Sequence, residues 1–275
     1  MTVDLLPVAV LIATGLAVGF AAGLLGVGGC FIMVPVQYWL FLTGGLDPTL
    51  AIRMAFGTSL AVVLPTAASG AWGHSRRGAV DLQAAAHLGA TGVVGAFLGG
   101  YAAAHLPGEP LRMIFGLVVL ASAARMILFR PCSGGACRTV KARTYLLWGF
   151  PIGVICGLSG IGGGVLLVPV MVVVMGFDIH RAIGTSTLAI VFTSLGGIAS
   201  YLVSGLGVEG LTPYSLGYID LLQWLLLAGT SVPMARLGVR YAHRIPGREL
   251  LLFFTLVLIY IGLKMTGILD WLMPS

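Results

Sequence analysis

Gly23-Leu-Leu-Gly-Val-Gly-Gly-Cys-Phe-Ile-Met-Val-Pro-Val36 recurs later in the chain as Gly157-Leu-Ser-Gly-Ile-Gly-Gly-Gly-Val-Leu-Leu-Val-Pro-Val170, with 8 of 14 positions identical. That match is too close for chance even in a chain with 41 glycines, so the sequence is an internal duplication. The likeness continues outward from each copy. Ile52-Arg-Met-Ala-Phe-Gly-Thr-Ser59 pairs with Ile179-His-Arg-Ala-Ile-Gly-Thr-Ser186, and Leu106-Pro-Gly108 with Ile245-Pro-Gly247. Each half repeats one order of parts: long apolar run, glycine break, short run, Gly-Thr-Ser, polar loop, long run, Pro-Gly corner, final run. The expected organisation is a first repeat over residues 1–130, a linker loop at 131–143 and a second repeat over 144–275.

The composition says what solvent these repeats meet. With 58% hydrophobic residues, 9% charged and a mean hydropathy of +1.04, the chain cannot build the surface of a soluble domain, which is roughly a quarter charged. Its class is an all-α polytopic membrane protein. The net charge of +6 would suggest nucleic acid in a soluble chain, but here the cations sit in short loops between apolar runs, where they orient the protein. No nucleic-acid partner is expected; the lipid bilayer is. The N-terminal residues lack a cationic segment and lead into an apolar run too long for a signal peptide, which reads as a retained membrane segment.

Apolar runs fall at about 5–26, 30–44, 51–73, 84–105 and 111–129, then at 144–161, 164–177, 182–205, 220–240 and 250–272. As helices, the second and seventh would reach only about 22 Å, short of a hydrocarbon core of about 30 Å. They are partial spans, and the glycine motifs before them interrupt helices inside the membrane. Charge decides how the halves are related. If they were parallel, the 15 Lys and Arg would divide 8 to 7; if inverted, 12 share one side and Arg53, Arg112 and Lys264 lie towards the other. Cations collect on the cytoplasmic side, so the repeats are expected to be inverted, with both termini facing outward. The Cys132/Cys137 loop is then cytoplasmic and reduced, and lacks a histidine at zinc-site spacing.

Inverted repeats with interrupted helices at matched places point to a secondary transporter with its site near the midplane. Unpaired backbone is costly in lipid, so an unwound stretch must line a protein cavity or meet a ligand. Gly26, Gly28, Gly29, Gly160, Gly162, Gly163 and Gly164 allow left-handed turns and close approach. The N–H groups freed at the start of the short runs carry partial positive charge towards an anion. Thr58, Ser59, Thr185 and Ser186 supply uncharged hydroxyl donors. One turn before them stand Arg53, His180 and Arg181, candidate gates or electrostatic lures, with His74 and Tyr201 at the far ends of the same runs. The plainer alternatives are close packing for the glycines, bonds to the preceding turn for the hydroxyls, and interface anchoring for the arginines. Gly19-xxx-Gly23, Gly95-xxx-Gly99 and Gly153-xxx-Gly157 read as packing alone.

At the doubled Gly-Leu-x-Gly-x-Gly-Gly-x-x-x-x-Val-Pro and the Gly-Thr-Ser triplets, the chain resembles the sulfite exporter TauE/SafE family, also called the 4-toluene sulfonate uptake permease family. The resemblance covers about Leu5 to Leu269. It implies a transporter of small sulfur-containing anions (sulfite, thiosulfate, sulfoacetate or other sulfonates) and points to Gly26, Gly28, Gly29, Gly57, Thr58 and Ser59 with Gly160, Gly162, Gly163, Gly184, Thr185 and Ser186. Cys30 stands where the second half has Gly164, so it either contacts a sulfur substrate or fills space. Neither glycine motif fits a dinucleotide or Walker pattern, so no cofactor, metal or enzymatic activity is expected. The rivals are a permease for another small anion or a metal ion, and a membrane-embedded enzyme or redox subunit, for which lone His87 is poor support.

Overall fold

The structure, a computed structural model, describes residues 5–128, 142–242 and 247–268. Each expected run is a helix: α1 (Leu5–Leu25), α2 (Cys30–Thr43), α3 (Pro48–Ser75), α4 (Leu82–His105) and α5 (Gly108–Leu128), then α6 (Ala142–Ser159), α7 (Gly164–Val173), α8 (Ile179–Gly205), α9 (Leu221–Tyr241) and α10 (Gly247–Met265). Among the described residues the only sheet is a two-residue antiparallel pairing, Ser215–Leu216 with Ile219–Asp220, between α8 and α9. Helices α1, α3, α4 and α8 are long and apolar enough to cross a bilayer, while α2 and α7 are short apolar helices. The chain is an all-α polytopic membrane protein. Cys132, Cys137 and the Ile245-Pro246 corner lie outside the described residues.

The helix starts explain where the few acids went. Asp47 caps α3 by accepting from Thr49 N at 2.8 Å, and Asp178 caps α8 by accepting from His180 N at 3.1 Å. Asp81 caps α4 through Ala84 N at 3.0 Å, and Asp220 caps α9 through Gln223 N at 2.8 Å. Such a carboxylate satisfies N–H groups that a helix leaves unpaired and complements its dipole. The two short helices lack such a carboxylate: α2 begins after Gly29 and α7 after Gly163, and neither has a side-chain cap.

The helices pack in pairs that exchange under the duplication. Helix α1 lies along α9, and α4 along α6; α3 crosses α8, and α5 lies beside α10. Small residues set the close approach. An added Cβ at Gly19 or Gly23 would run into the backbone of Ser231 or Ala235 on α9, and one at Gly95 or Gly99 into that of Phe150 or Val154 on α6. Their role is helix contact, as it is for Gly153 and Gly157 against Gly92 and Ala96 on α4. Leu117, Leu147 and Leu225 are exposed on the outer surface, where lipid is the solvent.

Candidate substrate site at the paired helix breaks

Helix α1 stops at Leu25 and α6 at Ser159, and each chain segment turns through three left-handed glycines before the next helix starts. Gly26, Gly28 and Gly29 have φ of 66°, 81° and 76°; Gly160, Gly162 and Gly163 have 65°, 76° and 100°. A β-carbon disfavours this region, so the doubled motif codes one backbone path twice. All these glycines are buried, as are Cys30 and Gly164. Among the described residues, no backbone carbonyl pairs with the N–H groups of Val27, Gly28, Gly29 and Cys30, or of Ile161, Gly162, Gly163 and Gly164.

The two breaks meet each other. A Cβ at Gly28 would lie 3.4 Å from Val63 Cγ1 and 3.9 Å from Ile190 Cγ2, and one at Gly162 would lie 3.3 Å and 3.8 Å from the same two atoms. Val63 and Ile190 themselves occupy matched places, four residues after Ser59 and Ser186. Gly26 rests on Ile183 of α8 and Gly160 on Phe56 of α3, again matched positions. Gly164 abuts the Gly26-Val27 backbone, leaving no room for a side chain there, whereas its counterpart Cys30 directs its sulfur towards Gly162. Cys156 directs its sulfur towards Gly163, so both thiols line the second break.

Ending a helix inside the fold also frees carbonyls, and side chains from the far ends of α3 and α8 take up one from each half. Nε2 of the buried His74 lies 3.2 Å from Gly23 O, and Tyr201 Oη donates to Gly157 O at 3.0 Å. Gly23 and Gly157 are matched. His74 is therefore buried against the first break, where it meets the freed carbonyl.

The remaining expected site residues separate into two poles around this centre. At one, Thr58 Oγ1 accepts from Asp220 N at 2.9 Å, and Gly57 packs on the Tyr218 carbonyl. At the other, Thr185 Oγ1 accepts from Asp81 N at 2.9 Å, and Gly184 packs on the Ala79 carbonyl. Each threonine thus holds the capping aspartate of a helix in the opposite half. Arg181 donates to Asp81 Oδ2 at 2.9 Å and lies over Phe177, while Thr212 donates to Asp220 Oδ2 at 2.7 Å. Arg53 donates to Tyr218 Oη at 3.2 Å and Leu106 O at 2.9 Å, and so ties the α8–α9 connection to α3. His180 is exposed, 3.6 Å from Asp178 Oδ2.

The serines between centre and poles differ between the halves. Ser186 Oγ donates to Ile183 O at 2.9 Å, one turn back, and lies 3.5 Å from Gly26 O of the first break. Ser59 Oγ donates to Gln37 Oε1 at 2.5 Å, and both residues are fully buried. Gln37 was not among the expected site residues. The signal for it was an uncharged amide alone in a short apolar run, where an intramembrane polar group marks function. His87, by contrast, bonds Gln83 O one turn back at 2.7 Å, which is local packing.

Residues 11–265 match the family described as Sulfite exporter TauE/SafE. A Haemophilus influenzae protein named a probable membrane transporter is 30% identical over 91% of this chain and 95% of its own length. A similarly named Methanocaldococcus jannaschii protein is 28% identical over 95% of this chain and 96% of its own, and one from Bacillus subtilis, YunE, 24% over 93% and 96%. No solved structure matches the chain significantly. Since the match takes in both helix breaks and nearly everything between the termini, the chain belongs to the TauE/SafE sulfite exporter family and is a membrane transporter, not an enzyme.

Proposed function

We propose that this transporter exports a small sulfur-containing anion, such as sulfite, thiosulfate or an organosulfonate, from the cell across the inner membrane. Two inverted repeats, 1–130 and 144–275, would part alternately around a midplane site. The observation that carries this reading is the contrast among helix starts: α3, α4, α8 and α9 are capped by aspartate, whereas α2 and α7 start uncapped at two breaks that touch. A carboxylate at those starts would repel an anion, and bare N–H groups at a helix N-terminus attract one. The exchange of packing partners, α1 on α9 for α4 on α6, supports treating the halves as two copies of one unit.

Every residue of the breaks is buried, so passage requires movement. The two poles supply matched fastenings, Thr58 to Asp220 and Thr185 to Asp81, and alternating access opens one while the other holds. An inside-negative potential drives a monovalent anion outward by about 2.3 kcal/mol per 100 mV, so export needs no coupling ion. Proteoliposomes loaded with sulfite, thiosulfate or chloride test the reading. Efflux of the sulfur anions, faster when the interior is made negative and slower for chloride, is expected; no sulfur-anion flux, or flux unaffected by potential, overturns it.

A further inference from the structure

We infer that Gln37 is an anion-binding residue, its side-chain amide donating to a substrate oxygen beside the paired helix breaks. This inference rests on the anion reading above and names a contact that neither the glycine motif nor the Gly-Thr-Ser triplet contains. Gln37 and Ser59 are both fully buried in a membrane-spanning bundle. The Ser59 hydroxyl gives its hydrogen to Gln37 Oε1 at 2.5 Å, which fixes the amide and removes Ser59 itself as a donor. Gln37 Nε2 then carries two hydrogens with no partner among the described residues. A buried donor left in this state is costly, and an oxyanion, which only accepts, relieves that cost.

Position supports the assignment. Ser59 lies one turn of α3, about 6 Å along the axis, before Val63, the side chain that both Gly28 and Gly162 approach. Through Ser59 the amide is linked to the part of α3 that both breaks approach, from a place about two turns into the uncapped helix α2. The pair is also absent from the other half. Alignment of the glycine motifs puts Met171 opposite Gln37, and Ser186 bonds Ile183 O in its own helix and reaches Gly26 O of the first break at 3.5 Å, with no amide beside it. The first half thus supplies a directed side-chain donor where the second supplies an apolar wall, an asymmetry suited to holding a small anion in one orientation.

Gln37→Met tests this, because it installs the residue the second half already carries and keeps nearly the same volume. In detergent and in proteoliposomes, wild-type and Q37M protein are compared for sulfite and thiosulfate binding by calorimetry and for KM and Vmax of efflux. A lost charge-assisted hydrogen bond weakens binding and raises KM about tenfold or more, while a residue that merely fills space would lower Vmax and leave binding alone. Should Q37M fail to assemble, Ser59→Ala reads the same link by releasing the amide, with a severalfold rise in KM. Wild-type affinity in Q37M overturns the assignment and leaves the transporter reading intact. Absence of sulfur-anion binding by the wild type overturns both.

Discussion

Thr185 Oγ1 holds the backbone N–H of Asp81 at 2.9 Å, although the two residues are 104 positions apart and belong to different halves. Thr58 does the same to Asp220 across 162 positions. Because both hydroxyls are buried, Thr58→Val or Thr185→Val leaves an unpaired N–H and is expected to cost about 1–3 kcal/mol of closed-state stability. If these bonds fasten opposite ends, each single variant should raise reactivity towards a membrane-impermeant reagent from one side only. Equal gains from both sides, read with cysteines placed along the breaks, would show that the bonds do not act as separate gates.

The glycines of the breaks make different demands. Alanine at Gly26 or Gly160 would put its Cβ 2.7 Å from Ile183 O or from the Phe56 side chain, on top of a left-handed φ. At Gly28 and Gly162 the nearest atoms are methyls at 3.3–3.4 Å that can give slightly, so the cost is mainly that of a left-handed residue, about 1–2 kcal/mol. G26A and G160A are expected to fail in assembly. G28A and G162A should assemble, with a lower melting temperature, and lose flux because a methyl then occupies the junction. Size-exclusion profiles with flux measured on the recovered protein separate the two classes.

Much of this was readable before any coordinates. A bilayer imposes run lengths, and the ten apolar runs became ten helices among the described residues. The doubled Gly-x-Gly-Gly fixed both breaks because only glycine tolerates three left-handed turns so close together. What pattern could not show was which polar group each side chain would find. Thr58 and Thr185 read as substrate donors, and the pattern gave no sign that their oxygens also accept from a partner half remote in sequence. Gln37 acquires meaning only when α2 folds back on α3 and brings Ser59 to it, and His74 matters only because α1 ends beneath it.

The relation of the halves can be read from which side two loops face. Ser75, at the end of α3, and Tyr214, beyond α8, are both exposed and follow matched helices. If the repeats are inverted, these positions lie on opposite sides of the membrane. In a background with Cys132 and Cys137 changed to serine, Ser75→Cys is expected to label only from the cytoplasmic side and Tyr214→Cys only from outside. Labelling of both from one side would make the repeats parallel and remove the basis for a midplane site between opposed copies.

His74 and Tyr201 perform one task with different chemistry, each reaching the carbonyl released at the end of α1 or α6. Tyr201→Phe keeps the ring that packs against Phe56 and Tyr218 and deletes only the hydroxyl on Gly157 O. Losing that buried bond should cost about 1–3 kcal/mol, seen as a lower thermal midpoint. Since neither the hydroxyl nor Gly157 O belongs to the N–H groups proposed to meet the anion, the KM for sulfite is expected to stay within twofold of wild type. A KM raised tenfold at unchanged thermal midpoint would move Tyr201 from the scaffold into the binding site, and would place the substrate nearer the α6 end than the junction of Gly28 and Gly162.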